Sequence, residues 1–328
     1  KHPHVVFQLI PYAEDTGESR RDAEGDRKSL LIGRASQARW SAFPNVHFAI
    51  SNDREIVQTG PLSGRKVLQA TIDRIGRDFA MREPWGTLLT NQQCRFSGYA
   101  FADSPWSDII TLEDLDQVDG KILLRYRQTG SDPIVNDEDR YELYRNAGNR
   151  RYFFRRLMWA SLLSGGHATY GGLKTYEAHD GGPTRGVQGY YDANRDGILF
   201  QGAHDFRHIH RFFDQANITM VGLEPDDSRV GGDALRFKCA RDRQTILIYL
   251  ANPTGDNPET DNAGVKKPSV IIDLPNGKWR VRWFNPRTGE WTDGKPLDGA
   301  ASRKVTAPHE DRSTAADYVL LLTRELRQ

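Results

Sequence analysis

Short, mostly apolar runs of strand length alternate with amphipathic stretches of helix length over the first two thirds of the chain. Residues 5–10 and 46–50 form such runs, and residues 29–41, 65–82 and 150–164 repeat apolar side chains at helical spacing. This alternation is typical of parallel α/β folds. We count six strand–helix units, where a complete (β/α)8 barrel has eight. A dinucleotide-binding sheet would need a glycine-rich turn after its first strand, and the sequence has none there.

The pattern changes after residue 226, where short strands separated by Asn, Gly and Pro turns replace the helices. A module of this kind and of about 100 residues is typical of an all-β sandwich. We therefore predict a barrel domain over residues 1–226 and a β-sandwich over 227–328. Its strands are predicted at residues 235–238, 245–250, 270–274, 279–284 and 318–322.

Composition excludes several classes of protein. Apolar residues make up 38% of the 328 residues and charged residues 27%, which fits a folded globular protein. Because 45 basic side chains face 44 acidic ones, the charge gives no reason to expect a nucleic acid or an anionic membrane as partner. The arginine-rich residues 150–156 are predicted to pack or to form a solvated helix face rather than a binding patch.

The amino-terminal residues do not form a signal peptide. Residues 5–10 already have the pattern of a buried strand, so we predict that an amino-terminal portion, with any export signal, lies outside this chain. Cys94 and Cys239 form neither a disulfide framework nor a zinc site, and a single bridge between them stays open.

Acids follow two of the predicted strands directly. Asp53 comes after the run 46–50, and Glu138 ends a run that begins at residue 134. Strand ends converge at one end of a barrel, so the two carboxyl groups can face each other as glycoside hydrolysis requires. Asp137 and Glu142 are rival acids, and Asp53 has the alternative of capping a helix or turn.

Four motifs resemble one family. AFPNV…SND at residues 42–53 resembles the fourth-strand region of the apiosidase-like (β/α)8 glycoside hydrolases, and PIVNDE…YE at 133–142 resembles their seventh-strand motif. SGGHATYG at 164–171 is similar to their eighth-strand motif, with an additional Ala168. WFNPRTG at 283–289 resembles the carboxy-terminal module named "putative collagen-binding domain".

The resemblance implies a retaining mechanism, with Asp53 as general acid/base and Glu138 as nucleophile. It also implies a secreted or periplasmic enzyme that hydrolyses a complex, plant-type polysaccharide. Strands three to eight of the barrel are then present here. The first two units are absent, so a missing amino-terminal segment or a second chain would have to complete the barrel.

Several residues near the predicted strand ends are candidates for binding the oligosaccharide or polysaccharide. Large flat side chains can stack on sugar faces, and amides and carboxylates can bond to hydroxyl groups. Each aromatic side chain has the alternative of ordinary packing. The predicted substrate-binding residues are Asn52, Trp85, Trp106, Tyr141, Glu142, His167 and Tyr170.

Two other functions compete with this hypothesis. His204 and His208 stand four residues apart, as metal ligands on one helix do, but Asp205 occupies the place of the Glu in the zincin motif. We predict no metal and no cofactor. The second alternative is a non-catalytic carbohydrate-binding or structural protein on a degenerate barrel, which the missing units favour.

Overall fold

The structure is a computed structural model that describes residues 5–12, 27–52, 55–59, 66–93, 98–113, 120–138, 151–170, 201–232, 237–252, 267–308 and 317–325. By contacts the chain divides into two compact units. The first unit is Lys1–Leu115 with Thr129–Asp139, and the second is Asp116–Gln128 with Arg140–Gln328. The domain boundary predicted at residues 226 and 227 therefore falls inside the second unit and stays a prediction about the sequence modules.

Parallel strands form the framework of the first unit. Its sheets are β1-β2-β5, β3-β4 and β6-β7. An isolated parallel bridge between Gln93 and Leu112 joins the end of β5 to β6. The strands are β1 (Phe7–Leu9), β2 (Val46–Ala49), β3 (Glu55–Val57), β4 (Lys66–Leu68), β5 (Leu89–Thr90), β6 (Ile110–Glu113) and β7 (Ile134–Glu138).

Two helices of the first unit are described, α1 (Arg27–Trp40) and α2 (Gln69–Met81). Helix α2 buries Ile72, Ile75 and Phe79 on one face, as its helical spacing predicts. Phe79 meets Phe48 of β2 edge to face, with ring centroids 6.0 Å apart. Parallel strands covered by amphipathic helices confirm the predicted α/β class, whereas a (β/α)8 barrel with strands three to eight present stays a prediction.

The second unit combines helices with antiparallel strands. One sheet has the order β15-β14-β18-β12-β11-β9 with β16 beside β14, and the other has the order β10-β13-β17. The elements are α3 (Lys121–Thr129), α4 (Arg151–Leu163), β8 (His167–Ala168), α5 (Gln201–Ala216), β9 (Glu224–Pro225), β10 (Val230–Gly231), β11 (Phe237–Arg241), β12 (Thr245–Leu250), β13 (Ser269–Leu274), β14 (Lys278–Asn285), β15 (Glu290–Asp293), β16 (Leu297–Asp298), β17 (Ala301–Thr306) and β18 (Tyr318–Arg324).

The central strands of the larger sheet are buried on both faces. Successive side chains of a strand point to opposite faces, and in β12 Ile248 packs with Val270 of the smaller sheet. The opposite face carries Leu247, which packs with Trp159 of α4 and Phe212 of α5. Burial on both faces explains why β12 and β18 are continuous apolar runs instead of alternating ones.

A buried ion network joins α4 and α5 to the larger sheet. The Arg155 guanidinium donates two hydrogen bonds to Asp317, of 2.7 Å from Nε and 2.8 Å from Nη2. It also donates to Asp205 over 3.2 Å, and Tyr249 Oη donates to Asp317 over 2.9 Å. Arg155 is 4% exposed and Asp317 0%, so the arginine-rich helix packs instead of facing solvent.

Cys239 is a free thiol between the two sheets, and burial raises its pKa to about 12. Cys94 lies outside the described residues. Among the helices described, none has both the length and the apolar character needed to cross a lipid bilayer.

Candidate active site at the strand ends of the first unit

A β-bulge at the end of β7 sets the directions of two consecutive acidic side chains, Asp137 and Glu138. Leu112 pairs with Asn136 and Glu113 with Glu138, so Asp137 is an extra residue that pairs with no residue of β6. A regular strand would send Asp137 and Glu138 to opposite faces. Bulges re-aim side chains and are common beside active sites. Here both carboxyl groups bond to residues that belong to, or directly follow, the β1-β2-β5 sheet.

Asp137 belongs to a chain of hydrogen bonds across the first unit. Gln8 Nε2 of β1 donates to Asp137 Oδ2 over 2.6 Å, and His47 Nε2 of β2 lies 2.8 Å from Gln8 Oε1. Because the Gln8 amide donates to Asp137, its oxygen accepts from His47 Nε2–H. Burial raises the pKa of Asp137 against the opposing effects of Gln8 and His47. Burial lowers the pKa of His47, which Asp137 partly offsets.

Glu138 has a different partner. Gln92 Nε2, in the segment after β5, donates to Glu138 Oε2 over 3.1 Å. The Gln92 side chain is buried, whereas Glu138 is only half-buried. The backbone N–H of Gln92 donates over 3.0 Å to the carbonyl oxygen of Ser51, which follows β2. Gln92 thus links Glu138 to the strand end that leads to Asp53.

The residues on either side of Gln92 fix the same segment. Asn91 Oδ1 accepts from both the backbone N–H and the hydroxyl group of Ser51, over 3.1 and 2.8 Å. Gln93 donates through Nε2 to the Gly98 carbonyl and accepts from the Ala100 N–H. These three amides are absent from the site predicted by sequence, although consecutive Asn and Gln residues directly after an apolar strand are a usable signal for buried hydrogen bonding.

A third acid stands beside Glu138. Glu113, the last residue of β6, is 6% exposed and pairs in register with Glu138. Two carboxyl groups at one level of neighbouring strands disfavour ionisation of both at once. The arrangement offers one half-buried carboxyl group, that of Glu138, which accepts a hydrogen bond from a neutral amide. Such a group can act chemically as a nucleophile or as a base.

Comparison with known families decides the identity. More than half of the chain, residues 24–220, matches the family model described as "Apiosidase-like, catalytic domain". The chain belongs to the apiosidase-like family. Residues 225–323 match the model described as "Putative collagen-binding domain of a collagenase". Both matches confirm the predicted resemblance, and membership of the apiosidase-like family supports a glycoside hydrolase in general.

Solved structures of glycoside hydrolases share the fold of this apiosidase-like chain. A family 5 glycoside hydrolase from Bacteroides vulgatus has a TM-score of 0.71 at 16% identity, over 97% of this chain and 70% of that one. A protein described as "Glycoside hydrolase" has a TM-score of 0.70 at 15% identity, over 94% and 72%. A "putative glycoside hydrolase" from Bacteroides vulgatus has a TM-score of 0.64 at 15% identity, over 98% and 59%. No curated protein matches.

The structure describes one of the two predicted catalytic residues. Glu138 ends β7, as predicted, whereas Asp53, Tyr141 and Glu142 lie outside the described residues. Asn52 is half-buried and directly follows Ser51. Of the predicted site residues in the first unit, the structure therefore brings Asn52 and Glu138 to the carboxyl ends of parallel strands. That the carboxyl groups of Asp53 and Glu138 face each other stays a prediction.

Two tryptophans do not lie at these strand ends. Trp85 precedes β5, at its amino-terminal end, and is 68% exposed. Trp106 is 2% exposed, its Nε1 donates to Asp73 over 2.9 Å, and a Cβ added at Gly76 would overlap its ring. Trp106 is thus a core residue packed on α2, and we remove both tryptophans from the candidate site. Aromatic character marks a residue for burial as readily as for sugar binding.

The remaining candidates belong to the second unit. His167 begins β8 and is exposed. Tyr170 packs edge to face on Phe154, with ring centroids 5.1 Å apart, and also meets Phe206 at 5.6 Å. Packing of this kind fixes the Tyr170 ring, so any sugar contact would have to come from its remaining surface.

The histidines considered as metal ligands have other neighbours. His204 is exposed, and a Cβ added at Gly289 would overlap the His208 ring, so His208 packs on the turn between β14 and β15. Asp205 bonds to Arg155. Within the described part of the chain, no group of three or more His, Cys, Asp or Glu residues is placed to hold a metal ion.

Proposed function

We propose that this apiosidase-like chain is a retaining glycoside hydrolase with Glu138 as nucleophile and Asp53 as general acid/base. One observation carries the proposal: Gln92 holds the half-buried carboxylate of Glu138 and bonds through its backbone to Ser51, two residues before Asp53. Family membership supports the same reaction class. The bulge at Asp137 supplies the local reason why Glu138 turns toward this strand end.

The proposed reaction has two steps. A Glu138 oxygen attacks the anomeric carbon while Asp53 gives its proton to the departing glycosidic oxygen, so the C–O bond to the leaving group breaks as the glycosyl–enzyme bond forms. Asp53 then takes a proton from water, which attacks the anomeric carbon and releases Glu138. Two inversions at that carbon retain its configuration.

The proposed substrate is a complex, plant-type polysaccharide outside the cell, which agrees with a secreted or periplasmic enzyme. Asn52 stands next to Asp53 and can bond to a sugar hydroxyl group. His167 and the exposed part of Tyr170 remain candidates for sugar contacts, as do Tyr141 and Glu142. No metal or cofactor takes part in the proposed reaction.

The experiment that tests this function combines activity with stereochemistry. Plant polysaccharides and a panel of 4-nitrophenyl pyranosides and furanosides are incubated with the protein, and reducing ends or nitrophenol are measured. Proton NMR of the first product then gives the anomeric configuration. The proposal expects release with retention. Release with inversion contradicts the assignment of Glu138 as nucleophile. Release by a folded Glu138→Gln variant at the wild-type rate contradicts the location of the active site at Glu138.

A non-catalytic carbohydrate-binding protein is the second candidate, and one observation favours it. Strand β1 is at the edge of its sheet among the described residues, and Phe7, Trp40 and Phe43 around it are about half exposed. They line an apolar groove of about 380 Å³. Such an edge fits a barrel that is incomplete. Binding of polysaccharide in an affinity gel without release of reducing ends would select this candidate.

We further propose that an additional strand and helix cover this edge, supplied by an amino-terminal segment or a second chain. Among the described residues, the parallel pairing of β1 with β2 leaves the other edge of β1 available for a strand in the same direction. Hydrogen exchange at the β1 amides measures this directly. Protection equal to that of β2 agrees with a covered edge, and fast exchange in the active form contradicts it.

A further inference from the structure

We infer that Gln92 is a positioning residue that keeps Glu138 ionised and aimed at the strand end of β2. The inference rests on the proposed function, because it names the group that prepares the proposed nucleophile. A hydrogen bond donated to a carboxylate stabilises its charged form, and bonds to charged groups are stronger than neutral ones. Gln92 Nε2 supplies such a bond to Glu138 Oε2 over 3.1 Å.

Gln92 is itself held rigidly. Its side chain is 4% exposed, and its backbone N–H bonds to the Ser51 carbonyl over 3.0 Å. Ser51 is held in turn by Asn91, through its N–H and its hydroxyl group. A donor fixed in this way also fixes the position of its acceptor. Such fixing is needed for a nucleophile, which must be held within a fraction of an ångström of its productive place.

A neutral amide suits this position. Glu113 on β6 pairs in register with Glu138, and on β7 the neighbouring Asp137 turns to Gln8 and is close to His47. Like charge on Glu113, at the same level of the neighbouring strand, opposes ionisation of Glu138. The Gln92 donor counteracts that opposition without forming an ion pair that would tie up the nucleophile.

The adjacent residue provides a matched control. Gln93 is also buried, at 2% exposure, and its side chain bonds to backbone groups of the 98–100 segment. Gln92→Met and Gln93→Met each remove one buried amide, keep the backbone bonds and nearly preserve side-chain length. Glu113 and Asp137 are unchanged in both variants, so their charges contribute equally.

The first measurement does not depend on turnover. Carbon-13 NMR of carboxyl-labelled glutamate gives the titration midpoint of Glu138, identified by its loss in Glu138→Gln. We expect the midpoint to rise by about one pH unit in Gln92→Met, because the charged form loses its donor. No such rise is expected in Gln93→Met. An unchanged midpoint in Gln92→Met, or an equal rise in Gln93→Met, overturns the inference.

The second measurement is kinetic, on the 4-nitrophenyl glycoside that the wild type cleaves fastest. Gln92→Met is expected to lower kcat about tenfold with a smaller change in KM, and to move the acidic limb of kcat/KM to higher pH. Unchanged kcat also overturns the positioning role. Full activity of Glu138→Gln would instead refute the proposed function, and the NMR result would still decide whether Gln92 holds Glu138.

Discussion

Two buried polar networks in this protein are built from different chemical groups. In the second unit, Asp205 and Asp317 both face the guanidinium of Arg155. In the first unit, Asp137 and Glu138 instead face the amides of Gln8 and Gln92. Opposite charges in contact compensate the cost of burial, whereas a neutral amide stabilises an acid through a hydrogen bond without an opposite charge. We infer that the ion network of the second unit maintains the fold, and Glu138 in the first unit is the proposed nucleophile.

The largest effect on stability is expected when the ion network loses a carboxylate. Asp317→Asn leaves Arg155 buried with a weaker partner, so the free energy of unfolding should fall by about 3 to 5 kcal/mol. Urea denaturation measures this change. The control is Asp293→Asn, which breaks an exposed pair with Arg280 and should cost at most about 1 kcal/mol. Equal effects of the two variants would contradict a structural role for the buried network.

The next effect distinguishes packing from sugar binding in the first unit. Trp106→Ala empties a buried site against α2 and should lower the free energy of unfolding by about 3 kcal/mol. If Trp106 bound substrate instead, the variant would raise KM and leave the denaturation midpoint near that of the wild type. Denaturation and kinetics on the same preparation separate these outcomes.

The smallest effect concerns the pH dependence of stability. Because the folded pKa of Asp137 is raised above its usual 3.8, the folded state binds more protons than the unfolded one between the two values. Stability from this group is therefore complete below its unfolded pKa and is lost as the pH rises through the folded pKa. Asp137→Asn keeps the acceptor for Gln8 and removes this titration.

Denaturation of both proteins between about pH 4 and about pH 8 tests that sign. The stability of Asp137→Asn relative to the wild type should increase as the pH rises. A relative stability that decreases with pH would mean that the fold favours the ionised carboxylate. The lowered pKa of His47 acts in the opposite direction, because the unfolded state takes up that proton first on acidification.

Much of the framework was predictable from local pattern. The runs that became β2 and β7 are mostly apolar and break into acids, and this break located Glu138 at a strand end. Strand β12 was predicted with the bounds observed, Thr245–Leu250, because five consecutive buried residues leave a clear apolar signal. Strand β17 was missed, since Val305 is its one buried residue.

The details of the site depend on contacts that a linear pattern does not contain. The bulge at Asp137 is defined only by pairing with β6, so the direction of both acids could not be read from β7 alone. Arg155 looks like a surface residue until its partner Asp317, distant in sequence, is known. Trp85 and Trp106 have the same aromatic character as a sugar-binding residue. The burial of Trp106, and the position of Trp85 at the amino-terminal end of β5, are visible only in the structure.

The most direct test of the central claim compares the two acids at the β7 bulge. The rate of glycoside hydrolysis is measured for Glu138→Gln and Asp137→Asn, both shown to be folded by thermal denaturation. The account predicts that Glu138→Gln loses about a thousandfold or more, as expected for a nucleophile, while Asp137→Asn keeps most of its activity. Loss of activity in Asp137→Asn with activity retained in Glu138→Gln would contradict it.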